Sequence, residues 1–436
     1  MNTPQAPSAV TGQRPSIVAR PLIHDLAGRY RQVRAASEEL CQGLHPEDYV
    51  IQSMPDASPA KWHLAHTSWF FETLVLAKAI PLYKPFHPQF NYLFNSYYLS
   101  LGQRHCRPRR GLISRPTVQE VYDYRRQIDR LMLELLDRSS NRVLSEYAAI
   151  VELGLHHEQQ HQELLLTDIK HAFASNPLRP AYRSTPDPAA QLPAQSARWI
   201  SFPEGLREIG HGGDGFAYDN ESPRHRVFLN AFELASRPVA NVEYRAFVDD
   251  GGYRRGELWL SDGWNAVQSQ GWEAPLYWEK RDGQWSTMTL FGMRPVNDAE
   301  PVCHVSYFEA DAFARWAGSR LPAEEEWEFA STSVPIEGNF VDARLFHPSP
   351  PTGGGGLSQM FGDVWQWTRS AYLPYPGYRQ ATGALGEYNG KFMCNQFVLR
   401  GGSCATPRSH IRRTYRNFFP PDARWQFTGF RLARDA

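Results

Sequence analysis

Apolar residues in the first part of the chain recur with the spacing of helices. Between residues 58 and 80, alternating steps of four and three residues mark one continuous face, which indicates a buried helix. The residues on this face are Trp62, His66, Trp69, Thr73, Leu76 and Ile80. Similar patterns predict three more helices, so the region is expected to fold as an antiparallel four-helix bundle. The four helices run from about 21 to 44, from 58 to 80, from a capping box at Thr117 and Glu120 onward, and from about 144 to 173.

The pattern changes after Ala197, where Gly, Pro, Asp and Trp divide the chain into short segments. This texture predicts an α+β domain with many loops, packed by its aromatic residues. Helices are expected here only near residues 241–248, 307–316 and 323–330. The predicted organisation is a disordered leader over residues 1–16, the helical bundle over 17–175, a linker over 176–196 and the second domain over 197–436.

Charge and cysteine content narrow the functional classes. Lys+Arg and Asp+Glu balance at 46 each, so no overall field favours nucleic acid or an anionic membrane. No apolar stretch has the length of a membrane span, and residues 1–16 lack the apolar core of a signal peptide. The five cysteines are scattered without a CxxC pair, which is typical of a reducing compartment. Composition therefore predicts a cytoplasmic protein with neither a nucleic-acid nor a membrane partner.

Two histidines on the fourth predicted helix carry the clearest chemical signal. His157 and His161 are four residues apart, so their imidazoles share a helix face with Leu164 and point into the core. Neutral imidazole is the commonest metal ligand, and bundles build metal sites from inward residues on facing helices. His66 lies on the buried stripe of the second helix. His63, about sixty degrees around that helix, is its rival for a place in the same site.

Two other interpretations fit parts of this pattern. The string from His157 to His161 has the HExxH form of zinc metallopeptidases, with Glu158 as the general base. The Gly-x-x-His continuation of one such class is absent, and His66 lies upstream on another helix. The remaining interpretation is a non-catalytic, lectin-like binding protein with the bundle as its stalk. Inward-facing histidines argue against that interpretation.

Several strings resemble known families. PVCHVS at 301–306, RLPAEEEWE at 320–328, GDVWQWT at 362–368, RGGS at 400–403 and GFRLA at 429–433 resemble the formylglycine-generating-enzyme-like (sulfatase-modifying-factor) domain, a variant of the C-type lectin fold. In the first half, WHLAH at 62–66 and HEQQHQE at 157–163 resemble the iron site of ergothioneine-biosynthesis sulfoxide synthases. That family joins a DinB-like bundle to this second domain type. Selenoneine synthase, a close relative, shares the architecture, and these motifs do not separate the two.

The resemblance implies a function. It implies an Fe(II) centre held by His66, His157 and His161, where O₂ drives the joining of sulfur or selenium to the imidazole C2 carbon of hercynine (trimethylhistidine). The implied small-molecule partners are hercynine, a thiol or selenol donor, and O₂. Three neutral imidazoles leave the ion its full positive charge and about three open positions for these molecules. The identity of the donor is not determined by the sequence, and cysteine, γ-glutamylcysteine and a selenosugar are all candidates. The branch of the family with two active-site tyrosines favours a small donor such as cysteine.

The string FNSYY and the basic segment that follows it match this two-tyrosine branch. The resemblance implies that Tyr97 and Tyr98 donate a proton or hydrogen atom, with Tyr98 preferred within the pair. The alternative is two packed aromatic residues in an extended segment. Arg104 and Arg107 are the candidates for binding the carboxylate of an amino-acid donor, because a guanidinium fork suits a carboxylate.

The substrate residues implied by the resemblance come from both halves of the chain. Gln160 would contact the imidazole of hercynine, since a carboxamide can donate to or accept from a ring nitrogen. Asn417, Phe418 and Phe419 match a substrate-binding segment of the family. Hercynine is therefore expected to bind between the two domains. Glu163 is either a partner that orients a histidine or a solvated helix residue.

Overall fold

The computed structural model describes residues 25–138, 141–184, 195–351, 353, 355–380, 386 and 389–436. The predicted leader lies outside these residues, and so do positions 185–194 of the predicted linker. The first part is helical and the second combines short strands with short helices, so the predicted class of a helical bundle followed by an α+β domain is confirmed. No helix in the described residues has both the length and the apolar character needed to cross a membrane.

Four long helices, with two short helices between them, form the bundle in the described residues. They are α1 (Leu26–Leu40), α2 (Ala60–Phe71), which continues through a π-helical segment (Glu72–Leu76) into α3 (Ala77–Ala79), then the short α4 (Phe90–Phe94), α5 (Val118–Arg138) and α6 (Asn141–Ser175). Helix α6 packs against α1 and α2, and α2 also packs against α5. The predicted capping box at the start of α5 is present. The Glu120 amide donates to Oγ1 of Thr117 at 3.2 Å, and the Thr117 amide donates to Oε2 of Glu120 at 2.6 Å.

Helices α2 and α6 approach each other closely where α6 carries a glycine. A Cβ atom on Gly154 would lie 2.5 Å from Cε1 of Phe71 and 2.8 Å from Cε1 of Phe70. Both phenylalanines are fully buried, so the site has no room for a side chain. The Phe70 ring also packs on the ring of His157, with centroids 4.8 Å apart. The glycine contact therefore helps to set the separation of the helices that carry the histidines.

The second part of the chain contains short strands in small sheets. The strands are β1 (Trp199–Phe202), β2 (Gly205–Ile209), β3 (His225–Leu229), β4 (Phe232–Ala235), β5 (Trp278–Arg281), β6 (Gln284–Thr289), β7 (Gly292–Pro295), β8 (Trp365–Ala371), β9 (Phe397–Arg400), β10 (Asn417–Phe419), β11 (Thr428–Phe430) and β12 (Ala433–Asp435). The strand orders are β1-β4-β12, β2-β3, β5-β6-β7 and β10-β9-β8-β11. In the last sheet β8 and β11 are parallel, while the other pairs are antiparallel. This sheet places Asn417–Phe419 beside β9, which separates them from β8, the strand that follows the GDV string.

Short helices flank these sheets. They are α7 (Asn241–Asp249), α8 (Ser261–Gln270), α9 (Tyr307–Trp316) and α10 (Glu324–Ser331). The sequence predicts α7, α9 and α10, and these three are confirmed. It does not predict α8, whose first residues, Ser, Asp and Gly, are typical of a loop. Packing overrides that local preference, because Gly263 lets α8 lie directly against the side chain of Phe308.

Candidate metal centre and interdomain cavity

Three histidines from facing helices meet in the core of the bundle. His66 lies on α2 and His157 and His161 lie on α6, and one ligand nitrogen from each lies within 4.8 Å of the others. Nε2 of His66 and Nε2 of His157 are 3.1 Å apart. With imidazole–metal bonds of about 2.1 Å, two neighbouring ligands of one ion are about 3 Å apart. The structure therefore brings the predicted triad together at a spacing that suits a metal ion.

Burial keeps these three imidazoles neutral. It lowers the pKa of His157 to about 3. It also holds the pKa values of His66 and His161 well below their usual range, and the neighbouring histidines act in the same direction. An imidazole must be neutral to offer a lone pair to a metal. The cluster is thus in the metal-binding protonation state at neutral pH.

The ring of His66 is held on three sides. Its Nδ1 lies 2.6 Å from the carbonyl oxygen of Phe94, so Nδ1 carries the proton and donates it. The ring stacks on Trp62 and Trp69, with centroid distances of 4.5 and 5.3 Å. These contacts fix the tautomer of His66 and leave Nε2 as the nitrogen for a metal.

His63, the rival of His66, has a different place. Its Nδ1 lies 2.8 Å from Nδ1 of His161, and its Nε2 lies 3.0 Å from Oδ2 of Asp168. Because a carboxylate can only accept, Nε2 of His63 carries the proton, and Nδ1 of His63 then accepts from Nδ1 of His161. This leaves Nε2 of His161 for a metal. His63 therefore orients a candidate ligand and is not itself part of the triad.

Glu158 points away from the histidine cluster. Its carboxylate accepts from Arg34 at 2.9 Å, from Arg125 at 2.7 Å and from Ser37 at 2.6 Å. Burial alone would raise the pKa of Glu158, but the two guanidinium groups outweigh it and hold the pKa at about 2. A general base must reach the metal-bound water of a peptidase, and this carboxylate is engaged in the bundle core instead. The geometry therefore argues against the zinc metallopeptidase hypothesis.

A cavity of about 240 Å³ lies beside the histidines, where the two domains meet. His157 and His161 form part of its wall. The wall also contains most of the side chains that the sequence suggested for catalysis or substrate binding, namely Tyr97, Arg107, Gln160, Asn417, Phe418 and Phe419. The structure thus joins the candidate metal centre and these residues in one interdomain cavity.

Two of the suggested residues lie elsewhere. Arg104 is exposed and donates to the carbonyl oxygen of Ser96 at 2.7 Å. Tyr98 is fully buried, with its ring 4.8 Å from the Tyr97 ring and 5.7 Å from the Trp69 ring. Of the two tyrosines, Tyr97 is the one in the cavity wall. The position of the pair therefore favours Tyr97 over Tyr98 as the residue that faces a substrate.

Arg110 and Arg416 are the buried arginines of the cavity wall, and Arg416 is ion-paired with Glu324, whereas Arg110 is not. The guanidinium carbon of Arg110 lies 3.4 Å from the centroid of the Trp62 ring, and Arg110 donates to Oγ of Ser58 at 2.9 Å and to Oγ of Ser96 at 3.3 Å. Across the described part of the chain it forms no ion pair, and its Nε has no hydrogen-bond partner. Burial lowers the pKa of Arg110 well below its usual range. The basic segment contains several arginines, and nothing in their spacing singles out this one.

Glu163 joins the two domains. Its Oε1 accepts from Nε1 of Trp365 at 2.7 Å and from Oγ of Ser403 at 2.5 Å, and its Oε2 accepts from Oγ1 of Thr406 at 2.8 Å. Burial raises the pKa of Glu163, while these three donors lower it. Both sequence-based roles for Glu163 are wrong. None of its three hydrogen-bond donors is a histidine, so it does not orient one, and it is buried, so it is not a solvated helix residue. Instead it ties the helix of His161 to the second domain.

Three further residues at this junction are absent from the sequence-based set. Tyr415, in the cavity wall, bonds to Gln160 and to His410, and His410 bonds to His156. Tyr415 lies two residues before Asn417, and His156 immediately precedes His157. Proximity to those motifs is the only sequence signal, because the bonds themselves depend on how the domains dock.

Family models match both parts of the chain. The model of the DinB superfamily matches residues 29–165. The model of the sulfatase-modifying factor enzyme 1-like domain matches residues 184–349 and 341–436. The order of the two matches is the order of the helical and the α+β parts.

Individual relatives match across the same junction. The chain is 33% identical over 415 residues to the hercynine oxygenase of Mycolicibacterium thermoresistibile, covering 87% of this chain and 88% of the relative. It is 36% identical over 316 residues to the hercynine oxygenase of Mycolicibacterium smegmatis, covering 65% and 71%. It is 23% identical over 359 residues to ergothioneine biosynthesis protein 1 of Schizosaccharomyces pombe, covering 73% of this chain and 44% of that protein.

Proposed function

The chain belongs to the hercynine oxygenase family, and from that premise we propose that it is a nonheme Fe(II), O₂-dependent enzyme that acts on hercynine. The proposed reaction joins the sulfur or selenium of a small donor to the imidazole C2 carbon. The C2–H and chalcogen–H hydrogens leave with one oxygen atom of O₂ as water, and the other oxygen stays on the chalcogen. The observation that carries the proposal is the three-histidine cluster, two members of which, His157 and His161, lie in the wall of an interdomain cavity.

The cluster suits Fe(II). His66, His157 and His161 offer three neutral nitrogen ligands from two rigid helices, and an octahedral ion would keep about three positions for other molecules. When bound, iron supplies the one-electron chemistry that a reaction with O₂ requires. The protein supplies orientation, because the partners behind His66 and His161 fix which nitrogen each ring presents.

Hercynine carries an imidazole, a carboxylate and a trimethylammonium group, and the cavity offers a partner for each. Gln160 offers a carboxamide to the imidazole. Oδ1 of Asn417 accepts from the amide of Phe418 at 2.9 Å, which leaves its NH₂ group to donate to the carboxylate. Phe418 and Phe419 offer aromatic faces, which attract a quaternary ammonium ion.

The thiol or selenol donor would bind beside two arginines of the cavity wall. Arg107 and Arg110 both lie in the wall, and the buried Arg110 has no carboxylate partner among the described residues. A buried, unpaired guanidinium favours an anion, such as the carboxylate of cysteine or the ionised chalcogen itself. This arrangement suits cysteine, γ-glutamylcysteine and a selenolate, so binding to these arginines does not select among them.

Tyr97 is the proposed proton donor of the reaction. It lies in the cavity wall with His157 and His161, and its phenol is the acidic group that the two-tyrosine segment contributes there. Tyr98 packs against the Tyr97 ring and would hold it in place. We assign Tyr97 the donor role and Tyr98 a positioning role.

The test is an assay of the full-length protein loaded with Fe(II). Hercynine and O₂ are combined with cysteine, γ-glutamylcysteine or a selenosugar in turn, and products are identified by mass spectrometry. The expected result is an O₂-dependent product that joins the donor chalcogen to hercynine, with no product from zinc-loaded protein. Absence of any coupled product with all three donors would overturn the proposal. Peptide cleavage without O₂ by the zinc form would support a peptidase instead.

A further inference from the structure

A chain of four polar side chains crosses the domain junction and ends at the cavity. Nε2 of Gln160 donates to Oη of Tyr415 at 2.6 Å. The same oxygen lies 3.1 Å from Nε2 of His410. Nδ1 of His410 lies 3.0 Å from Nδ1 of His156. Gln160 and His156 belong to α6, while Tyr415 and His410 belong to the second domain.

The proton positions in this chain follow from its geometry. Because Oη of Tyr415 accepts a proton from Gln160, its own hydroxyl proton remains to be donated, and Nε2 of His410 is the acceptor. Nε2 of His410 then offers a lone pair, so the proton of that ring sits on Nδ1. This proton is donated to Nδ1 of His156. All the bonds therefore run in one direction, away from the cavity.

Tyr415 is a rigid anchor for this chain. It is buried, and its ring lies 5.4 Å from the Trp365 ring and 5.0 Å from the guanidinium carbon of Arg412. Arg412 is fixed in turn by Glu221 at 2.6 Å. The backbone carbonyl of Tyr415 accepts from Arg400 at 3.1 Å. The hydroxyl therefore has a fixed position, against which the amide of Gln160 must orient.

A carboxamide has two orientations of nearly equal shape that exchange its oxygen and nitrogen. With its proton donated to Nε2 of His410, the Tyr415 hydroxyl can only accept from Gln160, which selects the orientation with the nitrogen toward Tyr415. With the nitrogen bound to Tyr415, the other end of the Gln160 amide is an oxygen, and Gln160 lines the cavity. An imidazole that binds a metal through one nitrogen carries a proton on the other. We propose that Tyr415 is a positioning residue that turns the Gln160 oxygen toward the cavity, so that the site selects an imidazole presenting an N–H group there. This inference rests on the proposed function, which supplies the imidazole.

The first test compares two ligands on the unmodified, Fe(II)-loaded protein without O₂. Imidazole has an N–H opposite its metal-binding nitrogen, and 1-methylimidazole has none. Calorimetry should show imidazole binding about tenfold more tightly, the scale of one hydrogen bond to a fixed acceptor. In Gln160→Leu this preference should disappear. Equal binding of both ligands by the unmodified protein would overturn the proposal.

The second test separates orientation from packing. Tyr415→Phe keeps the ring but removes the hydroxyl, so imidazole should bind several-fold more weakly while iron content stays unchanged. A carboxylate has two equivalent oxygens and needs no orienting partner, so Tyr415→Phe should have little effect in a Gln160→Glu background. Tyr92→Phe, at an exposed tyrosine, is the matched control.

An equal effect of Tyr415→Phe in both backgrounds would show that the hydroxyl acts through packing and would overturn the proposal. If Tyr415→Phe does not fold, the ligand comparison on the unmodified protein still tests the proposal, because equal binding of the two ligands would overturn it. Neither test uses hercynine or product formation. A failure of the orientation model is therefore distinguishable from a failure of the proposed reaction, which would appear as absent coupling with intact imidazole selection.

Discussion

The candidate ligands differ in what holds their second ring nitrogen. His66 donates to a backbone carbonyl, while His161 is linked through His63 to the carboxylate of Asp168. A carboxylate behind a ligand raises its basicity, so His161 is expected to be the stronger donor of the two. Helical spacing predicts that His157 and His161 share a face. It cannot predict that His63 serves His161, because that contact depends on how α2 crosses α6.

Replacing His66, His157 or His161 by Ala should reduce bound iron from about one equivalent to nearly none, because two imidazoles hold Fe(II) far less firmly than three. The protein should remain folded, since each change removes a neutral side chain. Metal analysis after gel filtration measures the loss. His171→Ala, on the same helix but outside the cluster, is the control. Full iron occupancy in His66→Ala would remove His66 from the site and place His63 there.

Changing Tyr97 to Phe keeps the ring and deletes the phenolic proton. If Tyr97 donates that proton, coupled product should form about 10²-fold more slowly, the usual scale of general acid catalysis. Oxidation of the donor alone should become the main reaction, while hercynine binding stays the same. Tyr98→Phe should have a smaller effect because that ring is fully buried. The donor role is wrong if Tyr97→Phe makes the normal product at the normal rate.

At the scale of elements, α6 carries three functions on three faces. One face presents His157 and His161, a second ties Glu158 to the arginines of the bundle, and a third bonds to the second domain through Gln160 and Glu163. Apolar periodicity predicts the helix and its inward histidines well. The same periodicity does not predict the burial of Glu163. A helical glutamate is usually solvent-exposed, and here the second domain covers it.

Gly154 tests whether the spacing of α2 and α6 matters for the metal centre. In Gly154→Ala the new Cβ would lie 2.5 Å from Phe71, so the helices must move apart at a cost of about 1–3 kcal/mol. Thermal unfolding should show a lower midpoint, and titration should show weaker iron binding because His157 moves relative to His66. Gly213→Ala is the control, since nothing lies within 4 Å of a Cβ there. Unchanged iron affinity in a destabilised Gly154→Ala protein would separate helix spacing from metal binding.

On the scale of the whole molecule, the site exists only because the two parts dock. The bundle contributes the candidate ligands, and β10 of the second domain contributes Asn417, Phe418 and Phe419 to the same cavity wall. Motif resemblance predicts both domains and this interdomain cavity. It does not distinguish the buried Arg110 from its exposed neighbours, and it does not reveal the contact of Tyr415 with Gln160. Both depend on side-chain burial at the junction, which no local pattern encodes.

The interdomain arrangement predicts that hercynine affinity and iron content can be separated by changes in the second domain. Asn417→Ala removes a donor for the substrate carboxylate and Phe419→Ala removes an aromatic face, so each should weaken hercynine binding about tenfold. Neither residue belongs to the histidine cluster, so both variants should retain full iron. Calorimetry and metal analysis on the same samples measure the two quantities.

Asn265→Ala and Phe228→Ala, at exposed positions of the second domain, are the matched controls. Unchanged hercynine affinity in both variants would place the substrate outside this cavity wall, while a parallel loss of iron would mean that the second domain supports the metal centre itself.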